Sequence, residues 1–367
     1  MTITDRFIEL AKLSSPSKQE RLVADYILAF CKERQIAISE DAAGAAIGGN
    51  SGNLLATMPG KGARTVLFSA HMDTVVPCDK VHPVIRDGRI YSDQTTILGA
   101  DDKSGIAAML LLMEDALAHP DAYPHLKFVF SVAEETGLEG ARQLDPSFLA
   151  DVDAAFILDS SGQPGEIVCA APFMASGTIT VTGKEAHAGI APEEGINAFV
   201  VAAKAVSKLQ IGRIDANTTC NVGIVHGGLA ANIVMPKITL EFEARSLDGA
   251  KLEQLLHQVD VVFQEECSAA KATYATTVAI DTPGYQITEQ DEIAQKVVQA
   301  SNTIGLPYRF KQSGGGSDTN IYAGKQVQAM TLATGMTKVH TVEESIAIED
   351  LVKTAQWIQA IAKVYSI

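Results

Sequence analysis

Cysteine is scarce in this chain, and the cysteines that occur follow no pattern. Among 367 residues there are five, namely Cys31, Cys78, Cys169, Cys220 and Cys267. Their odd number and the lack of any C-x-x-C spacing exclude a disulfide framework and a thiolate zinc site. We therefore expect a protein of the reducing cytoplasm.

Long apolar runs are also missing. No segment approaches the ~18 consecutive apolar residues that a membrane span requires. The N-terminal stretch MTITDRFIELAKL has the pattern of an amphipathic helix, without the basic and then apolar regions of a signal peptide. These features predict a cytoplasmic protein with no membrane partner.

Positive charge is in short supply. The chain has 29 Lys and Arg against 44 Asp and Glu, a formal net charge of −15. Because binding to phosphates needs clustered Lys and Arg, this balance argues against a nucleic-acid partner. The 47% of hydrophobic residues is ordinary for a globular protein, and the length suffices for two domains.

The order of apolar segments predicts the domain organisation. Up to about residue 170, short apolar runs alternate with helical patterns, which indicates an α/β domain with a mixed, mostly parallel sheet. The next segment has the order strand–helix–strand–strand–helix–strand of a ferredoxin-like α+β fold. We therefore predict a discontinuous domain of residues 1–172 and 284–367, with residues 173–283 inserted as a lid or dimerisation domain.

Histidines and carboxylates stand just past several separate apolar runs. They are His71, Asp73, Asp101, Glu134, Glu135, Asp159 and, near the C-terminus, His340. Because the strands of an open α/β sheet present their carboxyl ends along one edge, we expect these side chains to converge. Such nitrogen and oxygen donors are enough for two divalent metal ions, zinc by preference, with cobalt or manganese as alternatives. The pattern predicts a two-metal hydrolase.

The sequence around each donor indicates its role. In H-M-D-T, His71 is a ligand and Asp73 accepts the other imidazole N–H, which orients the ring. In LGADDKSG, Asp101 bridges the two metals, one oxygen to each, while Asp102 and Lys103 shape the loop. A helix N-terminus enriched in acid for the sake of its dipole is the alternative here.

Two adjacent glutamates at a strand end repel each other unless a cation lies nearby. We predict Glu135 as a metal ligand and Glu134 as the general base, which later protonates the leaving amine. A solvated acidic turn is the alternative.

Asp159 closes AAFIL and would otherwise be a turn starter. The ligands divide as His71 and Asp159 on one metal, and Glu135 and His340 on the other, with Asp101 between.

The sequence resembles a known family at five motifs in order. They are H-M-D-T at 71–74, G-A-D-D-K-S-G at 99–105, A-E-E-T-G at 133–137, L-D-S at 158–160 and H-T-V-E-E at 340–344. They are similar to those of the co-catalytic zinc metallopeptidases of the aminoacylase and tripeptidase T superfamily (M20-type), above all its peptidase T-like branch. The resemblance implies a phosphorylase/hydrolase-like catalytic domain, the metal roles just given, and a cis peptide bond between Asp101 and Asp102.

The resemblance also implies roles for the inserted domain. His187 in GKEAHAG would reach the active site of the other subunit of a homodimer and polarise the scissile carbonyl, although a turn histidine is the plain alternative. Asn232 and Arg245 would contact the substrate or its carboxylate, an ordinary ion pair being the alternative for Arg245. The SGGGSD loop lacks the phosphate-loop pattern, and its Gly315 and Ser317 would form a backbone-amide cradle beside the substrate.

Together these features predict hydrolysis of an amide bond in a small peptide by metal-bound hydroxide. An aminopeptidase with tripeptidase-like character is the favoured interpretation. Two alternatives of the same superfamily stay open, an N-acyl amino acid amidohydrolase and a carboxypeptidase, because GGLAANIV and EARS look more like the wider superfamily. A metal-binding protein without catalysis is a remote alternative, since every catalytic position is filled.

Overall fold

The computed structural model describes residues 1–366 of the chain. Its helices are α1 (Ile3–Ala11), α2 (Arg21–Glu33), α3 (Ala43–Ile47), α4 (Ala100–Ala118), α5 (Glu139–Gln143), α6 (Pro146–Leu149), α7 (Ala198–Lys208), α8 (Gly249–Ala270), α9 (Glu292–Thr303), α10 (Asp318–Gly324) and α11 (Ile348–Val364). The first ten strands are β1 (Ala37–Glu40), β2 (Leu54–Met58), β3 (Thr65–His71), β4 (Val84–Arg86), β5 (Arg89–Tyr91), β6 (His125–Ser131), β7 (Ala154–Ser160), β8 (Glu166–Ala171), β9 (Phe173–Thr182) and β10 (Gly212–Arg213). The others are β11 (Thr218–Gly227), β12 (Lys237–Ser246), β13 (Thr273–Thr276), β14 (Ala279–Thr282), β15 (Tyr285–Gln286), β16 (Arg309–Gln312), β17 (Ala329–Ala333), β18 (Met336–Thr337) and β19 (Ser345–Ala347).

The chain divides into two compact units. The first contains Met1–Cys169, Gln286–Ser313 and the residues from Ser317 onward, and the second contains Ala170–Tyr285 and Gly314–Gly316. These divisions lie a few residues from the limits predicted for the inserted domain, residues 173–283. We propose the predicted limits as the domain boundaries.

The first unit is built on a mixed sheet with the strand order β1-β2-β6-β3-β7-β17-β8-β15. The central strands β6, β3, β7 and β17 pair in parallel, while the pairs β1–β2, β2–β6 and β17–β8 are antiparallel. The expected mixed α/β sheet is confirmed, and its parallel part is the central four strands. Since these strands run the same way, their carboxyl ends meet at one edge.

The central strand β3 is buried along its whole length because hydrophobic layers cover both faces of the sheet. Val66 and Phe68 belong to the core on one face, whereas Leu67 belongs to the core on the other. This alternation follows from the period of two of a β-strand. It leaves His71, the last residue of β3, at the edge where the parallel strands end.

The second unit is an antiparallel sheet with the strand order β10-β11-β12-β9-β13. Residues of α7 and α8 share one buried core with this sheet, for example Val201 with Ile179 and Phe242. The order and the two helices match the ferredoxin-like arrangement predicted for this segment. The predicted final strand is divided, since β13 and β14 pair with separate stretches of β9.

Two helix starts depend on neighbouring segments. The last helix, α11, begins at Ile348, because the preceding Ser345–Ala347 pairs with β5. Helix α4 begins at Ala100, although Asp101 and Asp102 have non-helical backbone angles inside it. In both places the tertiary environment, which propensity does not describe, sets the boundary.

Two further features concern the expected cellular setting. All five cysteines are free thiols. Among residues 1–366 no helix has the length and apolar character needed to cross a bilayer. The cytoplasmic location expected from the sequence stays a prediction.

Candidate metal centre

His71 lies at the carboxyl end of β3 and is 2% exposed. Its Nδ1 is 2.9 Å from the backbone carbonyl oxygen of Asp73, so that a proton on Nδ1 is donated to this oxygen. Its Nε2 then faces Asp101 Oδ1 at 3.0 Å and Asp159 Oδ1 at 3.9 Å. The ring is therefore fixed with one nitrogen directed at two carboxylates, as a metal-ligating histidine requires.

Asp101 presents its two carboxylate oxygens to two different histidines. Oδ1 lies 3.0 Å from His71 Nε2, and Oδ2 lies 3.3 Å from His340 Nε2. The two imidazoles come from chain segments far apart in sequence. Because one oxygen faces each imidazole, this carboxylate could contact a cation on either side.

The second side of the centre is formed by His340 and Glu135. His340 Nε2 approaches Glu135 Oε1 to 3.0 Å, yet this buried oxygen has no hydrogen-bond partner. The approach therefore lacks hydrogen-bond geometry, and this buried oxygen is left without a hydrogen bond. A cation between the imidazole and the carboxylate would satisfy both, so the residues present fit a metal ion.

The electrostatics of the cluster also suit a cation. Burial raises the pKa of Asp159 and Glu134 well above their usual range, and neighbouring carboxylates raise both further. Burial alone would do the same to Asp101, but the imidazoles of His340 and His71 lower its pKa. Donor atoms of His71, Asp101 and Glu135 all lie within 4.8 Å of one another.

Asp102 supports the loop beneath the ligands. Its Oδ2 accepts the backbone N–H of His71, and its Oδ1 accepts that of Gly105, each at 3.3 Å. Together with His71 and Asp159 it also forms a second group whose donor atoms lie within 4.8 Å. The peptide bond between Asp101 and Asp102 is cis, as the resemblance implied.

Asp73 holds the glutamate loop as well as the histidine. Its Oδ1 accepts the backbone N–H of Glu134 (3.0 Å), and its Oδ2 accepts that of Glu135 (3.1 Å) and the hydroxyl of Ser17 (2.7 Å). The carboxylate lies 3.4 Å from His71 Nδ1, farther than the backbone carbonyl oxygen does. The role of Asp73 as an orienter of the ring stays a prediction, and its hydrogen bonds show that the side chain also supports the loop of Glu134 and Glu135.

Sequence reasoning missed four residues around this centre. Glu344 accepts backbone N–H groups of the Asp101 loop, and Glu20 accepts the N–H of Ala133. The hydroxyl of Ser17 donates to Asp73. Asp318 is buried and accepts the hydroxyl of Ser131. Glu344 had a signal, since it closes the H-T-V-E-E motif. Ser17 and Glu20 had none, because they precede an ordinary helix far from every ligand.

Two predicted residues of the second unit lie side by side. The N–H of Ala188, next to His187, donates to the backbone oxygen of Asn232 at 2.9 Å. Both His187 and Asn232 are exposed, and the N–H of Gly189 donates to His187 Nδ1 at 3.2 Å. The segments around His187 and Asn232, which are distant in the sequence, therefore form one local surface.

Arg245 and Ser317 are engaged by their own surroundings. The guanidinium of Arg245 forms a two-pronged ion pair with Glu243 (3.0 and 2.8 Å) and donates to the carbonyl of Gly314 (3.1 Å). The ion pair left open by the sequence is thus present. Ser317 caps α10, and its N–H donates to Asn320 Oδ1 at 3.1 Å. The cradle predicted at Gly315 and Ser317 stays a prediction.

The fold and the donor set together define a class of protein. Two histidines and three carboxylates, of His71, His340, Asp101, Glu135 and Asp159, converge where the parallel strands of the mixed α/β sheet end. This is the construction of a metallohydrolase.

Comparison with known proteins agrees with this class. Residues 173–271 match the model of a peptidase dimerisation domain, and residues 53–204 match that of peptidase family M28. The YqjE protein of Bacillus subtilis, itself uncharacterised, is 37% identical over 98% of this chain and 97% of its own length.

Two solved structures match over almost the whole chain. The aminopeptidase PepT of Bacillus cereus is 36% identical with a TM-score of 0.93, covering 100% of this chain and 98% of that one. A tripeptidase from Staphylococcus aureus is 33% identical with a TM-score of 0.93, covering 99% and 98%. The two family models overlap on residues 173–204, so the models alone leave two families open. The two solved structures match almost the whole chain and assign it to the peptidase T-like family. The chain belongs to the peptidase T-like metallopeptidases of the M20 type.

Proposed function

We propose that this metallopeptidase is an aminopeptidase that removes the first residue of small peptides, tripeptides among them. The arrangement of Asp101, one oxygen toward each of two histidines, carries the proposal of a two-cation centre. The structural relatives described as an aminopeptidase and a tripeptidase support the choice of substrate.

We propose that His71 and Asp159 hold one cation, His340 and Glu135 hold the other, and Asp101 bridges them. When bound, the cations supply Lewis acidity that activates water and polarises the scissile carbonyl. Zinc suits the mixed nitrogen and oxygen donors, and cobalt or manganese would fit the same set.

Glu134 is the proposed general base. Its backbone is fixed by Asp73, while burial and the charge of Asp159 raise the pKa of its carboxyl. A carboxylate with a raised pKa is a better acceptor for the proton of the attacking water. It then returns this proton to the leaving amine.

The second unit is proposed to pair with its counterpart in a homodimer. Its surface exposes large apolar side chains, at Ile190, Phe199, Val200, Ile224, Val225 and Leu229. In the described chain, β10 pairs only with residues 219 and 220 of β11, so that the rest of this strand lacks a neighbour on its outer side. An unpaired strand edge with apolar side chains suits a second copy.

In this dimer, His187 from the second copy is proposed to donate to the developing oxyanion. The exposed imidazole beside Asn232 supports the assignment, since neither side chain is buried in its own unit. Asn232, Arg245 and Gly315 are proposed to contact the substrate. For Arg245 this requires sharing its guanidinium between Glu243 and a substrate carboxylate.

Peptide cleavage by the metal-loaded protein tests the proposal. We expect a tripeptide with a free N-terminus to be cleaved, and the same tripeptide with an acetylated N-terminus to be cleaved much more slowly. Prior chelation of the metal should abolish cleavage, and added zinc should restore it. Faster hydrolysis of an N-acetylated amino acid than of the free tripeptide would contradict the aminopeptidase and favour an amidohydrolase.

A further inference from the structure

Glu344 is a buried carboxylate, 1% exposed, that the proposed reaction does not use. Its Oε2 accepts the backbone N–H groups of Leu98 (2.9 Å) and Gly99 (2.7 Å), and its Oε1 accepts that of Asp101 (3.0 Å). Three backbone donors from one short segment therefore converge on a side chain more than 200 residues away in sequence.

The segment that Glu344 binds needs such a partner. It is the start of α4, where backbone N–H groups have no acceptor inside the helix. The residue before the helix, Gly99, has a left-handed φ of +75° and no side chain to cap the helix, while Asp101 and Asp102 depart from helical geometry. Glu344 thus acts as a cap supplied from another part of the chain, since it accepts three backbone N–H groups of this segment.

Glu344 also connects the two sides of the centre. It lies four residues after His340, and its own N–H donates to the carbonyl of Thr341 at 3.1 Å, which closes the intervening turn. The turn that carries one ligand is therefore tied to the backbone that carries the bridging ligand. A shift of either segment would be passed to the other.

We propose that Glu344 is a positioning residue that sets the orientation of Asp101 between the two cations. The inference rests on the metal centre proposed above. Groups that orient metal ligands contribute to metal affinity without touching the metal, and their loss lowers affinity or activity by about 10- to 100-fold.

The substitution Glu344→Gln tests this role because it nearly preserves shape. The amide offers one accepting oxygen, so the N–H groups on one side of the carboxylate lose their acceptor. We expect cation affinity, measured by competition with a chelator, to fall by about 10- to 100-fold. We also expect an altered absorption spectrum of the cobalt-loaded protein, a lower kcat, and little change in KM.

Glu343→Gln is the matched control. Glu343 precedes Glu344, is exposed, and pairs with Lys338. This variant should keep the affinity and the cobalt spectrum of the wild type. If Glu344→Gln fails to fold, Glu344→Asp, which retains the charge but shortens the reach, is measured in the same way and should weaken cation binding.

Unchanged cation affinity and cobalt spectrum in a folded Glu344 variant would overturn the proposal. A lower unfolding temperature with unchanged metal binding would likewise overturn it, because Glu344 would then be structural only. The proposed function is judged separately on the wild type. Wild-type protein that binds two cations but cleaves no peptide contradicts the function and leaves the affinity comparison intact.

Discussion

Single residues of the same type have distinct environments in this site. Glu135 faces His340, and one of its buried oxygens has no hydrogen-bond partner. Asp73 accepts the backbone N–H of Glu134, and burial, followed by the charge of Asp159, raises the pKa of the Glu134 carboxyl. The two adjacent glutamates therefore suit different proposed roles, Glu135 as a metal ligand and Glu134 as the general base.

The variants Glu134→Gln and Glu135→Gln should differ in metal content. Without its base, Glu134→Gln should bind two cations per chain but lose about 10²- to 10⁴-fold in kcat. Glu135→Gln should bind metal more weakly, because a neutral amide replaces a carboxylate ligand. Metal analysis and kinetics on both proteins check this. Near wild-type turnover by metal-loaded Glu134→Gln would remove the proposed base.

Glu20 makes stability depend on pH. Burial and the charge of Asp73 raise its pKa from the ordinary 4.5 to about 7. The folded state thus holds this proton more tightly than the unfolded state. Its contribution to the free energy of unfolding is present below pH 4.5 and is lost as the pH rises through about 7.

Glu20→Gln should remove this dependence, since the amide oxygen can still accept the N–H groups of Lys18 and Ala133. We expect the variant to be more stable than the wild type at pH 8, by about 3 kcal/mol at most, and similar at pH 4.5. Urea unfolding at both values measures it. Equal stability of the two proteins at pH 8 would contradict the expectation. Glu253→Gln, at an exposed position of α8, serves as the control.

At the scale of elements, the start of α4 packs closely against the end of β7. A Cβ atom added to Gly105 would lie 2.6 Å from Asp102 Oδ1, 2.8 Å from Leu158 Cβ and 3.0 Å from the Leu158 oxygen. Leu158 directly precedes Asp159. The missing side chain therefore lets the helix that carries one ligand approach the strand that carries another.

Gly105→Ala should separate these two elements. The added methyl group meets backbone and buried atoms that cannot move freely, so we expect a loss of about 1–3 kcal/mol in the free energy of unfolding. We also expect weaker metal binding, because Asp101 and Asp159 would shift apart. Gly49→Ala, whose added Cβ would make only contacts of 3.4 Å or longer, is the control. Wild-type affinity and stability in Gly105→Ala would be inconsistent with this packing.

At the scale of the whole molecule, the second unit has an apolar surface that a single copy does not cover. Ile224 and Val225 lie on the stretch of β11 that pairs with β12 on one side and has no neighbouring strand on its outer side in the described chain, and they are 45% and 52% exposed. Such an edge is a site for association unless it is protected. The match of this region to a peptidase dimerisation domain agrees with that use.

Val225→Asp should shift the protein from dimer toward monomer, because a charge would enter an apolar interface. Val84→Asp provides the matched control, since Val84 is also an exposed strand valine but lies in the first unit. Sedimentation analysis measures the assembly, and peptidase activity should fall with dimer content if His187 acts across the interface. A monomeric wild type with full activity would contradict this arrangement.

The amino-acid sequence alone determined the elements and the family. Alternating apolar runs predicted the two folds, and the motifs around His71, Asp101, Glu134 and His340 predicted the side chains that converge. These features are local, since each depends on the period of one strand or helix and on the residue that ends it. The order of the motifs along the chain then showed the resemblance to peptidase T-like enzymes.

Only the tertiary structure decided how the polar residues are paired. Glu344 binds the backbone N–H of Asp101, and Ser17 binds Asp73, although each pair is far apart in the sequence. For Arg245 the sequence left an ion pair as one alternative, and the structure shows that the pair forms. A buried carboxylate and a solvated one look the same in a sequence. Burial makes an unpaired polar group unfavourable, and the fold alone brings each such group to its partner.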